Sequence, residues 1–436
     1  MAAGHSVGPA RWQADFDVLM GRVAGRFARV EPRRRAAAFV MGLLARLPRT
    51  NCWTIAEYAG DWTPDGMQHL LGRAVWDAEA VREDVRGYLT EHLGDGDAGV
   101  GAVLVVDETG DLKKGTCTVG VQRQYTGTAG RIENAQVSVW LTIATGRGHG
   151  LIDRALYLPR CWAGDPARRA GAGVPAEIGF ATKPQLARQM IARTLDAGVR
   201  ASWVTGDEVY GADPGLRTEC ERRGIGYVLA VARAHRVDTS AGPLRADALS
   251  LRLPARAWQR RSAGPGAKGH RVYDWALIDI NPGGHPSGQP SMLIRRHCRT
   301  GERAYYRCWT PTPVPLSTVV GVAGTRWAVE EDFQTGKGLT ALDEHQVRTW
   351  TSWHCWTALV MLAHALLTAT AATEPTAASH PAGQIPLTRN EISHLLAVLI
   401  LTPTHTPPHR LHWSTWRRRH QHRARTSHYQ RQATPQ

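Results

Sequence analysis

Between Ala102 and Gly211 the chain twice repeats one arrangement, an uninterrupted apolar run closed by an aspartate. Val103-Leu104-Val105-Val106 leads into Asp107-Glu108-Thr109-Gly110, and Trp203-Val204-Thr205-Gly206 leads into Asp207-Glu208-Val209-Tyr210-Gly211. Short apolar runs bounded by turn residues predict buried strands. The same pattern predicts strands over 102–107, 121–126, 135–144, 202–207 and 227–232, with helices over 183–197 and 213–223. Consecutive strands followed by alternating helices and strands predict a mixed α/β sheet.

Residues 1–97 follow a helical period instead. Ala36, Phe39, Val40, Leu43, Leu44 and Leu47 recur along Arg33–Leu47, and Trp53–Ala59 is a short amphipathic stretch. Thr63 is placed to cap a helix beginning at Pro64, with Met67, Leu70, Leu71, Ala74 and Val75 on one face. Asp77 is placed to cap the next, which carries Val81, Val85, Tyr88 and Leu89. Two short helices supported by a third match a helix-turn-helix arrangement, with Gln68, His69 and Arg73 toward a DNA groove, and equally match an ordinary bundle with a polar face. Residues 233–313, rich in Arg, Gly and Pro, predict a β-rich insertion with strands near 271–280, 291–297 and 303–309. Helical periodicity returns from Ser317 to Leu367. The Ala/Thr/Pro-rich stretch 371–386 predicts a linker, Leu387–Leu401 a short helix, and the chain ends in a basic tail from His405. The expected division is therefore 1–97, 98–232, 233–313, 314–370 and 371–436.

Charge narrows the partner. The 436 residues carry a formal charge of +15, which favours a polyanion, nucleic acid before an anionic membrane. The most apolar run, Thr357–Ala372, contains His364 and is too short to span a bilayer. Seven single cysteines with no CxxC pair exclude a zinc ribbon and suit reduced thiols, and no signal-peptide pattern opens the chain, so a cytoplasmic location is expected. In the tail, Trp413, Trp416, Arg417, Arg418, Arg419, Arg423 and Arg425 interleave cations with aromatics, which suits phosphate contact with base stacking, or a solubilising disordered tail.

Aspartate often closes a strand as a turn former, so Asp107 and Asp207 alone carry little. A third acid changes that. In Thr325–Lys337, Arg326 and Glu330 are four residues apart and share a helical face, and Lys337 falls on it if the helix continues past Gly336. The same residues are also compatible with a solvated ion pair. Glu331 competes with Glu330 as the chemical group. Alternation turns Glu108 and Glu208 away from the face of Asp107 and Asp207. Asp343-Glu344-His345 forms a further polar cluster.

Arg326-x3-Glu330-x6-Lys337, downstream of two strand-end aspartates, resembles the Tyr-x2-Arg-x3-Glu-x6-Lys signature of bacterial insertion-sequence DDE transposases. The DETG turn and the stretch Gly338–Arg348 also look like one branch of that family. The signature tyrosine would fall at Ala323, and Tyr305, Tyr306 and Trp327 are the candidates to replace it.

The resemblance implies a ribonuclease-H-like core with a β-rich insertion, and Asp107, Asp207 and Glu330 as the catalytic, metal-binding triad. Two Mg²⁺ ions about 4 Å apart, or Mn²⁺ in their place, would be shared by Asp107 and held individually by Asp207 and Glu330. Arg326 and Lys337 would hold phosphates. The implied reaction cleaves transposon ends in double-stranded DNA and joins the 3′ hydroxyl to target DNA, with a homodimer on DNA as the default. Relatives of this kind can pass through a hairpin steadied by a tryptophan, for which Trp258 and Trp275 are candidates, although packing is the favoured reading of each. A nuclease that does not join strands, a catalytically silent DNA-binding derivative and an RNA-associated basic protein are the alternatives.

Overall fold

The computed structural model of the chain describes residues 8–94, 100–239, 242–266, 269–280, 288–374, 385–401 and 405–433. The N-terminal helices are α1 (Pro9–Arg22), α2 (Val30–Leu44), α3 (Cys52–Tyr58), α4 (Asp65–Gly72) and α5 (Ala78–Leu93). Then come β1 (Val103–Leu112), β2 (Gln122–Thr126), β3 (Arg131–Thr145), β4 (Gly148–Leu156), α6 (Arg160–Ala163), α7 (Pro166–Gly171) and α8 (Lys183–Asp196). The middle of the chain forms β5 (Trp203–Gly206), α9 (Glu208–Gly211), α10 (Pro214–Arg222), β6 (Gly226–Val231), β7 (Arg236–Thr239), β8 (Gly242–Arg245) and α11 (Ala246–Leu251). It continues through β9 (Gln259–Gly266), β10 (Gly269–Asp279), β11 (Gln289–Arg296) and β12 (Arg303–Thr310). The last helices are α12 (Leu316–Thr325), α13 (Trp327–Thr340), α14 (Trp350–Thr373), α15 (Arg389–Leu399) and α16 (Pro407–Ala433).

Two compact units result, Arg82–Gln334 with Ala371–Thr373, and Met1–Val81 with Thr335–Thr370 and Glu374–Gln436. The first is built on a ten-stranded sheet in the order β2-β3-β1-β5-β6-β12-β11-β10-β9, with β4 on β3. Strands β3 and β1 are antiparallel, while β5 and β6 run parallel to β1. The run β4-β3-β1-β5-β6, three antiparallel strands followed by two parallel to the central one, is a ribonuclease-H-like mixed α/β core. The insertion does not stand apart from it, because β12 pairs antiparallel with β6 and so carries β9–β12 onto the same sheet.

Strand β1 is apolar on both faces, and both are buried. Val103 and Val105 pack with Val319, Val320 and Ala323 of α12 and Val329 of α13, and all are buried. Leu104 and Val106 are fully buried on the opposite face. Each such side chain contributes about 1.5–3 kcal/mol by leaving water. Helix α8 starts with a capping box, Thr182 accepting the Gln185 N–H while Gln185 reaches back to Thr182.

A strand missing from the sequence pattern is β4, whose run is broken by Asp153 and Arg154. Asp153 is completely buried and accepts from Arg82 Nη1 at 2.8 Å and from Arg193 Nε and Nη2 at 2.6 Å each. Those ion pairs tie α5, β4 and α8 together. Asp153→Ala leaves the buried Arg82 guanidinium without this partner, while Arg193 can turn to solvent, and should lower the unfolding free energy by about 3 kcal/mol. Chemical denaturation measures it, and a loss below about 1 kcal/mol would reject the assignment.

The helical unit differs from expectation in detail. Helix α4 begins at Asp65, with Pro64 preceding it in a helical backbone conformation and the Thr63 hydroxyl donating to the Asp65 carboxylate at 3.0 Å. It ends at Gly72, so Val75 lies beyond it and is exposed. Asp77 does cap α5, accepting the Glu79 and Ala80 N–H groups. The apolar run expected to be too short to span a bilayer lies in a 24-residue helix, α14, long enough by length alone, and 89% of its most apolar window is buried inside the protein. The first part of the expected linker, Ala371–Thr373, completes α14, and 375–384 lie outside the described residues. The tail is helical over Pro407–Ala433.

Candidate catalytic site

The parallel register of β1 and β5 pairs Val103 with Trp203 and Val106 with Gly206, so Asp107 and Asp207 follow side by side. Alternation sends Asp107 to the same face as Val103 and Val105, toward the α12–α13 junction. Asp107 does not end its strand, as the sequence suggested, because β1 continues to Leu112 against β3. What ends there is the parallel ladder with β5. Asp207 leaves the sheet as the cap of α9, accepting the Val209 N–H at 2.8 Å. A side chain at Gly206 would meet Val106 Cγ1 at 2.9 Å, and one at Gly211 would meet the Ala230 carbonyl oxygen at 1.9 Å. Glycine at these positions lets the Asp207 turn sit close against its neighbouring strands.

Arg326 lies between α12 and α13 with helical backbone angles. Its Nη1 is 3.5 Å from Asp107 Oδ2 and its Nη2 donates to Glu330 Oε1 at 3.0 Å. The guanidinium thus draws an acid from β1 and an acid from α13 together, with Asp207 beside the first. Helix α13 runs through Gly336 and Gly338, so the spacing keeps Lys337 on the helical face of Glu330. Glu331 points elsewhere, to His149 Nε2 at 3.0 Å. Asp332, completely buried, meets His149 Nδ1 at 2.8 Å and accepts from Thr142 Oγ1 at 2.9 Å. These bonds to β3 and β4 fix the rotation of α13, and with it the side on which Glu330 projects.

The electrostatics are those of crowded acids. Burial, followed by repulsion from Asp207, pushes the Asp107 carboxyl up to about 7. Burial and the nearby Glu108 also raise Asp207. Glu108 itself faces away as alternation requires, taking the Tyr210 hydroxyl at 2.5 Å and Lys183 Nζ at 2.6 Å. Among the described residues no three His, Cys, Asp or Glu side chains converge on one ion position as they stand. The donor chemistry nevertheless fits a hard divalent cation: carboxylate oxygens, two of them raised above their ordinary protonation range by burial first and by neighbouring acids second, both of which a cation would offset.

Sequence reasoning did not single out Asp332, His149, Thr142, Lys183 or the Tyr210 hydroxyl. The available signal was an acid at Asp332 spaced to fall on the buried face of α13, two residues after Glu330. Among the proposed tyrosine replacements, Tyr305 and Tyr306 are buried and Trp327 is 43% exposed beside Arg326. Ala323 itself belongs to the core, on a helix so close to β9 that a side chain at Gly324 would meet the Ala263 carbonyl oxygen at 2.0 Å. Trp275 is buried and its Nε1 donates to the Arg261 carbonyl at 3.3 Å, whereas Trp258 is half-buried under the Arg296 guanidinium at 4.1 Å. In the helical unit, Gln68, His69 and Arg73 are exposed, as are Arg418 and Arg419, while Arg417 is paired with Glu57 at 2.5 Å. Of the polar cluster, Glu344 accepts the Thr50 N–H and His345 is buried near Trp356.

Comparison with known proteins gives the family. The chain is 28% identical over 202 residues to a probable transposase for insertion sequence element IS701 from Microchaete diplosiphon, over 45% of this chain and 48% of the relative. The chain thus matches about half the length of that relative. Residues 22–262, which include Asp107 and Asp207, match the model of the DDE superfamily endonucleases. The chain belongs to the DDE superfamily of endonucleases.

Proposed function

We propose that this protein is the transposase of an insertion sequence, cutting DNA at the element's ends and joining the 3′ hydroxyl to a target strand. The observation that carries the reading is the Arg326 guanidinium bonded to Asp107 and Glu330, with Asp207 in the adjacent register position. The superfamily implies a divalent cation, and Asp107, Asp207 and Glu330 would hold it, as two Mg²⁺ ions or Mn²⁺ in their place. Asp107, between the other two acids, is the natural shared ligand. Bound there, the ions would activate an attacking oxygen and stabilise a leaving one. Arg326 and Lys337 supply positive charge for the phosphate, whose anion otherwise repels any nucleophile. Trp327, exposed next to Arg326, is the aromatic best placed to take the role of the absent tyrosine. Joining two ends calls for two active sites, hence a dimer on double-stranded DNA.

The test is a supercoiled plasmid carrying the element's ends, incubated with Mg²⁺ and either the wild type or Asp207→Ala. The wild type should excise or join and the variant should do neither. Equal products from both would remove Asp207 from the site. Cleavage with no joined product would make the protein a nuclease of the same fold.

A further inference from the structure

Helix α4 exposes Gln68 and His69, but it also carries Asp65 and is a weak magnet for a polyanion on its own. Helix α16 supplies what it lacks. Over Pro407–Ala433 it contains no Asp or Glu and carries Arg410, Arg417, Arg418, Arg419, Arg423 and Arg425. It is fixed against the segment that precedes α4: His409 Nε2 lies 3.1 Å from the Asp61 carbonyl, His412 Nε2 2.8 Å from the Trp62 carbonyl, and Trp413 Nε1 donates to Asp61 at 2.9 Å. Between α3, α4 and α16 opens a cavity of about 600 Å³ lined by Trp53, Gln68, Trp416, His420 and Arg423 among others.

We propose that α4 and α16 form one composite groove that binds the sugar-phosphate backbone of duplex DNA, a step that rests on DNA being the substrate as proposed above. Residues some 350 positions apart in sequence share this site, Gln68 on one wall and Arg423 on the other. Trp416 packs edge-on to Trp53 at 4.7 Å and stacks on His420 at 5.4 Å, with Trp413 at 5.3 Å. Its ring is taken up by these neighbours, so the groove offers cations and hydrogen-bond donors more than a platform for unstacked bases. With Trp413 buried and Trp416 packed on Trp53 and His420, Leu411 and Tyr429 are the large apolar side chains exposed on α16 among the described residues, too few for the apolar face that a helix lying in a membrane surface needs. Arg417 is spent on Glu57, so the phosphate contacts are Arg423 in the groove and Arg418 and Arg419, which line an adjoining hollow on α16 together with Arg423.

The experiment uses the full chain with Asp207→Asn, to prevent cleavage, and a fluorescein-labelled duplex about three helical turns long. Fluorescence anisotropy across a salt series gives affinity and its salt slope. Replacing Arg418, Arg419 and Arg423 together by alanine should weaken binding at least about tenfold and reduce the slope by about 2 to 3, since each lost phosphate contact removes about 0.9. Replacing the same three by lysine should keep most of the slope, which separates charge from misfolding. A control pair on α2, Arg33→Ala with Arg34→Ala, should change the slope by less. An unchanged slope in the alanine triple, or an equal loss in the α2 control, overturns the groove. Tighter binding to anionic phospholipid vesicles than to duplex, abolished by the same triple, also overturns it. Plasmid cleavage by the wild type is read separately: its retention alongside an unaltered alanine triple rejects this groove and leaves the proposed function standing.

Discussion

Alanine at Asp107, Asp207 or Glu330 should lower Mg²⁺-dependent DNA cleavage by at least about a thousandfold each, equivalent to about 4 kcal/mol of lost transition-state stabilisation. Losses from groups that share one ion site do not add, so a double variant should be little worse than a single one. Glu331→Gln is the informative companion. Glu331 lies next to Glu330 in sequence but turns to His149, and its loss should cost less than about tenfold if it only steadies α13. Plasmid nicking in a Mg²⁺ titration measures all four, with circular dichroism to show that each variant folds. A Glu331→Gln defect as deep as that of Glu330→Ala would transfer the ligand role to Glu331.

The second large effect is on stability and runs opposite to activity. An aspartate in the unfolded chain ionises near pH 3.9, whereas Asp107 in the folded protein does so near 7. Between those values the folded state holds a proton that the unfolded state has released, so stability falls as pH rises from about 4 to about 7 and stays low above it. A shift of about 3 units corresponds to about 4 kcal/mol when complete. Asp107→Asn removes the ionisation while keeping the shape. With chelator present, the variant should come close to wild-type stability near pH 4 and exceed it by about 4 kcal/mol near pH 8, while being inactive. Mg²⁺ should recover wild-type stability at pH 8 and move the variant less, since a cation compensates the buried Asp107 charge that only the wild type carries. Urea denaturation at the two pH values measures this. An equal stability difference at both would show that Asp107 is not held above its ordinary range.

These expectations place function and folding in opposition at one residue. Asp107 sits on a rigid strand buried on both faces, next to a second acid and reached by one guanidinium. Nothing local favours that arrangement over a neutral side chain. Its cost is met by the apolar faces of β1 and β5 and by the buried Asp153 ion pairs that join α5, β4 and α8.

Much of the site was legible in the sequence because its parts are local. Apolar runs ending at Asp107 and Asp207 mark buried strands, and the four-residue step from Arg326 to Glu330 survives the change of helix at Arg326. The face of Glu108 also followed from alternation alone, and its bonds to Tyr210 and Lys183 confirm it. Where the reading failed, long-range pairing decided. Asp107-Glu108-Thr109-Gly110 has turn composition, yet β3 continues the ladder to Leu112. Strand β4 hides behind Asp153 and Arg154, and Asp153 is tolerated in the interior because Arg82 and Arg193 arrive from distant helices to pair it. The tail composition fits a solvated chain, and its helix is placed by carbonyls of Asp61 and Trp62 far away in sequence.

By itself, then, the sequence determined the periodicities, the two aspartate-bearing strands and the Arg326–Glu330 step, since each depends on residues within a turn or two of one another. Tertiary structure decided which acids meet. The β1–β5 register sets Asp107 beside Asp207, and His149 and Thr142 turn α13 so that Glu330, rather than Glu331, shares the Arg326 guanidinium with Asp107. Those outcomes rest on contacts between segments far apart in the chain, whose energies no local pattern encodes.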